Sequence, residues 1–197
     1  MQEFPVRDID KRVSSRIVKS AVTPRPIGWI STTSDDGVDN LAPFSCYNYI
    51  SSEYPTVMFS SKAHADGEQK DTARNVASTG EFVVNVVTEN LAEHMDRTSA
   101  ELPPEDSEFD FAELDRAEST HVTPPRVADA LISMECTAIE SLDIHDRGVF
   151  FGEVETFHIA DEVLEDGNVE MDRLDTVGRL GGPYYTSVNR MEMTREF

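Results

Sequence analysis

The chain has 197 residues, of which 38 are acidic and 17 are Lys or Arg, for a formal net charge of -21 at pH 7. Such a surplus repels nucleic-acid phosphates and anionic lipid headgroups, which excludes DNA, RNA and membrane surfaces as expected partners. No apolar run approaches the ~20 residues of a membrane-spanning helix, and the N-terminus MQEFPVRDID lacks the apolar stretch of a secretion signal. Cys46 and Cys136 have neither disulfide-framework nor zinc-site spacing, so reduced, packed thiols and a cytoplasmic location are expected. The length suits one domain, residues 1–197. Lysine is confined to Lys11, Lys19, Lys62 and Lys70. With the acidic surplus, that scarcity points to a chain adapted to high salt, whose self-repulsion is screened there; the alternative is an ordinary acidic protein.

In chain order, the apolar stretches Ile17-Val18 and Ile27 to Ile30 flank Thr23-Pro24-Arg25-Pro26, whose two prolines forbid a helix interior. The expectation is strand, bend, strand. Ser34-Asp35-Asp36-Gly37 supplies a tight turn, and Asn40 to Ile50 and Thr56 to Ser60 read as further strands of a meander. Asp71-Thr72 can cap a short helix with Ala73, Val76 and Ala77 inward and Gly80 just past its end. Phe82 to Val87 reads as a strand, and Leu91 to Thr98 as a second short helix with Asn90 as its cap. Residues 101–123 are acidic and proline-containing, an expected solvated excursion. Ala130 to Leu142 and Val149 to Ile159 form two strands joined by the loop Asp143 to Gly148, and Val163 begins a hairpin around Asp166-Gly167-Asn168. The class is mainly β with short helices: six or more antiparallel strands, closing as a barrel.

The chemistry is signalled by where acid is missing. Residues 11–34 carry Lys11, Arg12, Arg16, Lys19 and Arg25 and no Asp or Glu; residues 41–65 carry Glu53 alone. Buried strands lack charge anyway, which accounts for 41–59 but not for the basic window. An anionic ligand accounts for both. Ser60-Ser61-Lys62, followed by Lys70-Asp71-Thr72 at a helix start, gathers hydroxyls, ammonium groups and free helical N–H donors, the set that holds a phosphate. Asp71 orders the turn or caps the helix instead of meeting the anion. No GxGxxG or P-loop signature is present. His64, His94, His121 and His158 lack ligand spacing, so no metal is expected. The carboxylates of Glu101 to Asp110 have no apolar pocket to split their pKa values, and no catalytic acid or base is assigned. Trp29 either stacks on a ligand ring or fills the core.

The runs Thr23 to Ser31, Asn40-Leu41-Ala42-Pro43-Phe44-Ser45, Lys70-Asp71-Thr72, Gly80 to Asn85, Cys136, Gly152-Glu153-Val154 and Arg179-Leu180-Gly181-Gly182-x-Tyr184-Tyr185 occur in this order over nearly the whole chain. In these runs the chain resembles the flavin reductase-like, FMN-binding split-barrel proteins, in the branch that includes flavoredoxin. The resemblance implies a homodimer of split β-barrels with FMN at the subunit interface and NADH or NADPH as electron donor. It places Arg25, Pro26 and Ile27 against the flavin, lines the ring with Ala42, Pro43, Phe44 and Ser45, and gives the phosphate to Ser60, Ser61, Lys62, Lys70 and Thr72. Backbone N–H groups of the Ala42 to Ser45 run would then stabilise the reduced ring. Arg179 and Tyr185 either reach the partner's flavin or pack a terminal strand.

One departure stands out. Many flavin reductases that serve two-component monooxygenases carry Gly-Asp-His shortly before the Gly-Glu-Val strand. Here Arg147 holds that position and His145 lies two residues further away. His145 is either a solvated loop histidine or a functional one, and Arg147 either meets an anionic donor or pairs with the adjacent acid. Three functions therefore stand: a reductase passing hydride from NAD(P)H to FMN, an FMN-holding electron relay to a protein or small-molecule acceptor, and a dimeric phospholigand-binding module.

Overall fold

The computed structural model describes residues 1–194. Asp10 opens the first element, its carboxylate accepting from the amides of Arg12 and Val13 at 2.8 and 2.9 Å, and helix α1 runs Lys11–Ala21. This corrects the strand expected at Ile17-Val18. The cap and the straight-chain residues around that β-branched pair outweigh its local preference for strand. Chain direction then changes through Thr23-Pro24, and β1 (Gly28–Thr33), β2 (Asp39–Phe44), β3 (Tyr47–Ser51) and β4 (Thr56–Lys62) follow. Helix α2 is Asp71–Thr79 and ends on Gly80 at φ 72, a left-handed turn that glycine takes without a Cβ penalty. Its cap position belongs to Lys70, and Asp71 pairs instead with Arg74 one turn on. The helix turns Thr72, Ala73, Asn75 and Val76 inward, whereas Ala77, expected inside, is exposed.

Strand β5 (Glu81–Val86) and helix α3 (Ala92–Arg97) come next; Leu91 holds the α3 cap position, and Asn90 instead accepts from Thr88 Oγ1. Residues 101–123 are not simply solvated. A short helix α4 (Glu108–Phe111) and strand β6 (Arg116–Ala117), paired with β7 (Arg126–Val127), sink Phe109, Ala112 and Leu114 into the core. Then β8 (Ile132–Ile144) and β9 (Arg147–Ile159) form a long hairpin, followed by small hairpins β10 (Leu164–Glu165) with β11 (Asn168–Val169) and β12 (Val177–Arg179) with β13 (Tyr185–Ser187).

Seven strands form one antiparallel sheet in the order β2-β1-β5-β8-β9-β4-β3. β2 and β3 are consecutive in the chain yet terminate opposite ends of that order. Their two-residue connection therefore draws the ends together: the Ser60 amide donates to the Cys46 carbonyl at 2.9 Å, and β2 lies against β4. This is the expected split β-barrel, although β2 and β3 are not neighbours as a simple meander requires. Inside it, Phe59 is fully buried and touches the rings of Phe44, Phe82 and Phe150 at centroid distances of 5.0, 5.3 and 5.2 Å. A second cluster around Trp29, Leu41, Met95 and Phe109 lies beneath α3 and α4. Trp29 is core, its indole N–H donating to Thr98 Oγ1 at 2.9 Å. Cys136 is packed in the barrel and its thiol pKa is pushed up by burial and by Glu155 and Glu135, whereas Cys46 is exposed, contrary to expectation. Among the described residues no helix is long and apolar enough to cross a membrane, and no His, Cys, Asp and Glu group could hold a metal.

Candidate functional site

Along β4, side chains alternate, so Val57, Phe59 and Ser61 share the barrel-facing side. Ser61 continues the apolar row to the barrel's end. It is 2% exposed, and its Oγ has no hydrogen-bond partner among the described residues. A buried hydroxyl left unpaired costs ~1–3 kcal/mol, so this atom needs an account. Ser61 is one of the residues bordering a cleft of ≈ 560 Å³, with Lys62, Lys70, Ala73 and Arg147.

Helix α2 begins at this cleft, and among the described residues no side chain caps it. Its first free amides and its dipole therefore favour an anion there. Arg147, opposite Lys62 in the β4–β9 register, turns its guanidinium onto Ser60 Oγ at 3.3 Å. The adjacent acid, Asp146, pairs with Lys62 at 3.5 Å. Lys70 and His64 both approach Glu101, at 3.6 and 3.7 Å. His145 sits exposed in the hairpin turn at φ 56 and borders the same cleft. Of the other sequence-predicted phosphate contacts, Ser60 Oγ accepts from Arg147 and Thr72 Oγ1 accepts from Asn40 Nδ2 at 2.9 Å, and each hydroxyl keeps its own O–H to donate. The donors at the cleft, namely the Ser61 hydroxyl, the ammonium groups of Lys62 and Lys70, each beside a carboxylate, the Arg147 guanidinium and the helical amides, fit a phosphate.

A second cleft of ≈ 350 Å³ adjoins the first, sharing His64, Gln69 and Lys70 with it. Ala42, Pro43, Phe44, Lys70 and Thr72 lie along it, so the structure brings these predicted residues together. Its far wall is Glu101, Leu102, Pro104 and Glu108 from the acidic segment. Sequence reasoning missed that wall; the signal was the apolar spacing of Phe109 and Ala112 inside an otherwise charged run. Glu108 is buried, and its carboxylate accepts from the Leu41 amide at 3.0 Å, satisfying an edge strand that has no β partner on that side among the described residues. Burial first, opposed by hydrogen bonds from Leu41 and its own amide, and then the charge of Asp71, leave its carboxyl above the ordinary value.

The other predicted residues lie apart. Arg25 donates to the carbonyls of Lys19, Val22 and Leu180 at 2.7, 2.8 and 2.9 Å, tying the end of α1 to the segment after β12. Ser45 shares a third cleft with Arg25. Pro26 is exposed and Ile27 buried, both beside Tyr47 in a smaller cavity. Tyr185 packs on the Trp29 cluster; its hydroxyl donates to Asp96 at 2.7 Å and accepts from Arg179, whose guanidinium also lies 4.3 Å from the ring. Burial, then the Asp96 contact, pushes its pKa up to about 12.

With this geometry in place, comparison with known proteins is informative. Residues 20–175 match the flavin reductase like domain. A protein of Aquifex aeolicus is 41% identical over 184 residues, covering 93% of this chain and 94% of its own. The crystal structure of nitrilotriacetate monooxygenase component B from Bacillus cereus superimposes with a TM-score of 0.93 at 29% identity, covering 98% of both chains. Flavoredoxin of Desulfovibrio vulgaris shares the fold, with a TM-score of 0.77 at 20% identity over 89% of this chain and 92% of that one. The chain belongs to the flavin reductase like domain family.

Proposed function

We propose that the protein is a homodimeric NAD(P)H:flavin oxidoreductase that holds FMN, with its phosphate in the Ser61 cleft. The single observation that carries this reading is the buried, unpartnered Ser61 hydroxyl beside the uncapped start of α2. Flavin held there would supply the redox chemistry between NADH or NADPH and a protein or small-molecule acceptor. The chain's own residues bind and orient. Ser61, Lys62, Lys70, Arg147 and the α2 amides hold the phosphate, and the Ala42 to Ser45 run faces the ring. In that run Pro43 has no N–H, so backbone stabilisation of the ring would come from the remaining amides of the run. No side-chain acid or base is required.

A second copy would cover the exposed apolar side chains Val13, Ile17 and Val18 of α1, Val22 just past its end, and Tyr49 and Ile50 of β3. Light scattering should then give twice 22.0 kDa. A cytoplasmic, high-salt setting completes the reading: melting temperature should climb with KCl as the charge of -21 is screened, and a flat profile would remove the salt adaptation.

Two substitutions probe the phosphate cleft. Lys70→Ala should weaken FMN binding by about 1–3 kcal/mol, toward the lower end because its ammonium is 41% exposed and shared with Glu101; a titration with unchanged affinity removes Lys70 from the site. Ser61→Ala should separate two effects. It removes an unpaired buried hydroxyl, so the flavin-free protein keeps or gains stability, while FMN binding weakens by roughly 1 kcal/mol. Lost stability with unchanged FMN affinity would contradict the assignment.

The electron-relay reading is favoured by one observation. At the position where many reductases carry histidine, Arg147 serves the phosphate side by contacting Ser60. Stopped-flow absorbance decides between them: bleaching of the bound flavin by NADH or NADPH, faster than that of free FMN, is expected for the reductase, and no acceleration leaves the relay.

A further inference from the structure

The basic window at residues 11–34 lies outside the phosphate cleft. On α1, Arg12, Arg16 and Lys19 recur at i, i+4 and i+7, which puts them on one face over roughly 10 Å of helix. That face borders the cleft of ≈ 980 Å³ between α1 and residues 179–184, the most spacious of those described above. Arg25 and Arg179 also border it, and among the described residues no acidic side chain does, in a chain with 38 Asp and Glu. None of Arg12, Arg16 and Lys19 takes part in an ion pair among the described residues.

The cleft is also braced. Arg25 occupies the Lys19 and Val22 carbonyls at the negative end of α1 and the Leu180 carbonyl across the gap. Gly181 lies so close to α1 that a Cβ there would sit 3.1 Å from Ser20 Oγ. The two walls are thus held at fixed separation, and the exposed cations between them face no counter-charge. Ser45 lines this cleft and Phe44, its neighbour in the chain, lines the cleft of Ala42 and Pro43, so the two clefts meet the chain at adjacent residues.

We propose that this cleft binds the phosphates of the nicotinamide dinucleotide donor through Arg12, Arg16 and Lys19, and prefers NADPH, whose 2′-phosphate adds charge. The inference rests on the NAD(P)H:flavin reading for its ligand. It also accounts for a donor site that lacks the family's loop histidine, because the donor's contacts lie on α1 instead.

Calorimetric titration with NADP⁺, NAD⁺ and inorganic pyrophosphate at low salt tests it, on the purified protein with and without added FMN. NADP⁺ is expected to bind at least about fivefold more tightly than NAD⁺ and than pyrophosphate. The triple variant Arg12→Gln, Arg16→Gln, Lys19→Gln should bind NADP⁺ about tenfold more weakly, with melting temperature and FMN affinity unchanged, because all three side chains are exposed on good helix positions. NADP⁺ affinity within twofold of wild type in that variant overturns the proposal. So does equal affinity for NAD⁺, or pyrophosphate binding as tightly as NADP⁺. The expected NADP⁺ pattern in a protein that takes up no FMN would support the cleft and defeat the flavin reading.

Discussion

Glu135→Ala is expected to destabilise the protein by about 3–5 kcal/mol, the cost of breaking a buried charged network from one side. Glu135 is fully buried on β8, where it accepts backbone N–H groups from Thr120, His121 and Val122 at 2.7, 2.6 and 3.1 Å, and the ring of His158 closes on the same carboxylate. The alanine variant would strand three amides and release residues 119–123 from the barrel. For a chain of this size the melting temperature should fall by roughly 6–20 °C. Burial pushes the Glu135 carboxyl up, but the three amides and His158 outweigh it and hold its pKa below the ordinary value. The contribution is therefore fully present above the unfolded carboxylate value of about 4.3 and disappears as pH falls through the depressed folded value. Glu108, held above its ordinary value, acts with the opposite sign: its contribution is greatest in acid and declines as pH rises through its folded value. Thermal melts of wild type and Glu135→Ala from pH 3 to pH 7 check this. Curves that stay parallel into acid would contradict the carboxylate's role.

Gly152→Ala should be nearly as damaging. Gly152 lies on β9 between Val57 of β4 and Ala138 of β8. A Cβ there would overlap the edge of the Phe82 ring and sit 3.2 Å from Cys136 Cβ. Phe82 cannot withdraw, because it is fully buried against Phe59 at 5.3 Å. Overpacking of this kind costs about 1–3 kcal/mol, and a rigid aromatic core puts Gly152 at the upper end. This is the physical content of the Gly152-Glu153-Val154 run: the glycine makes room for the ring. A chemical denaturation midpoint equal to wild type would mean that the barrel relaxes around the extra methyl.

Where local physics decides the outcome, the sequence was legible. Gly80 was readable as the end of α2 because a left-handed turn selects glycine, and the β8–β9 hairpin because two runs rich in apolar and β-branched residues flank a polar loop. Helix α1 was misread because Ile17-Val18 is a β-branched pair, while the deciding Asp10 cap stands seven residues earlier. The separation of β2 from β3 is a property of barrel closure, which no local pattern encodes. The acidic stretch hid a buried face because three apolar residues, Phe109, Ala112 and Leu114, were outnumbered by carboxylates.

At the site, the clustering of Ser60-Ser61-Lys62 with Lys70 was visible in sequence, but not which hydroxyl was free. That follows from the alternation of β4, which gives Ser61 the inward side with Phe59 and leaves Ser60 to Arg147. Arg25 illustrates the reverse. The family resemblance placed it against the flavin, and the structure adds what sequence did not show, a guanidinium engaged by three carbonyls that only the tertiary fold assembles.

The most direct test of the central claim is a titration of the flavin-free protein with FMN, with riboflavin, its unphosphorylated counterpart, as control. Flavin fluorescence should report saturable uptake of one FMN per chain, and riboflavin should bind at least about tenfold more weakly, because the Ser61 cleft would be filled only by the phosphate. Equal affinity for the two, or no uptake of either, would contradict the account.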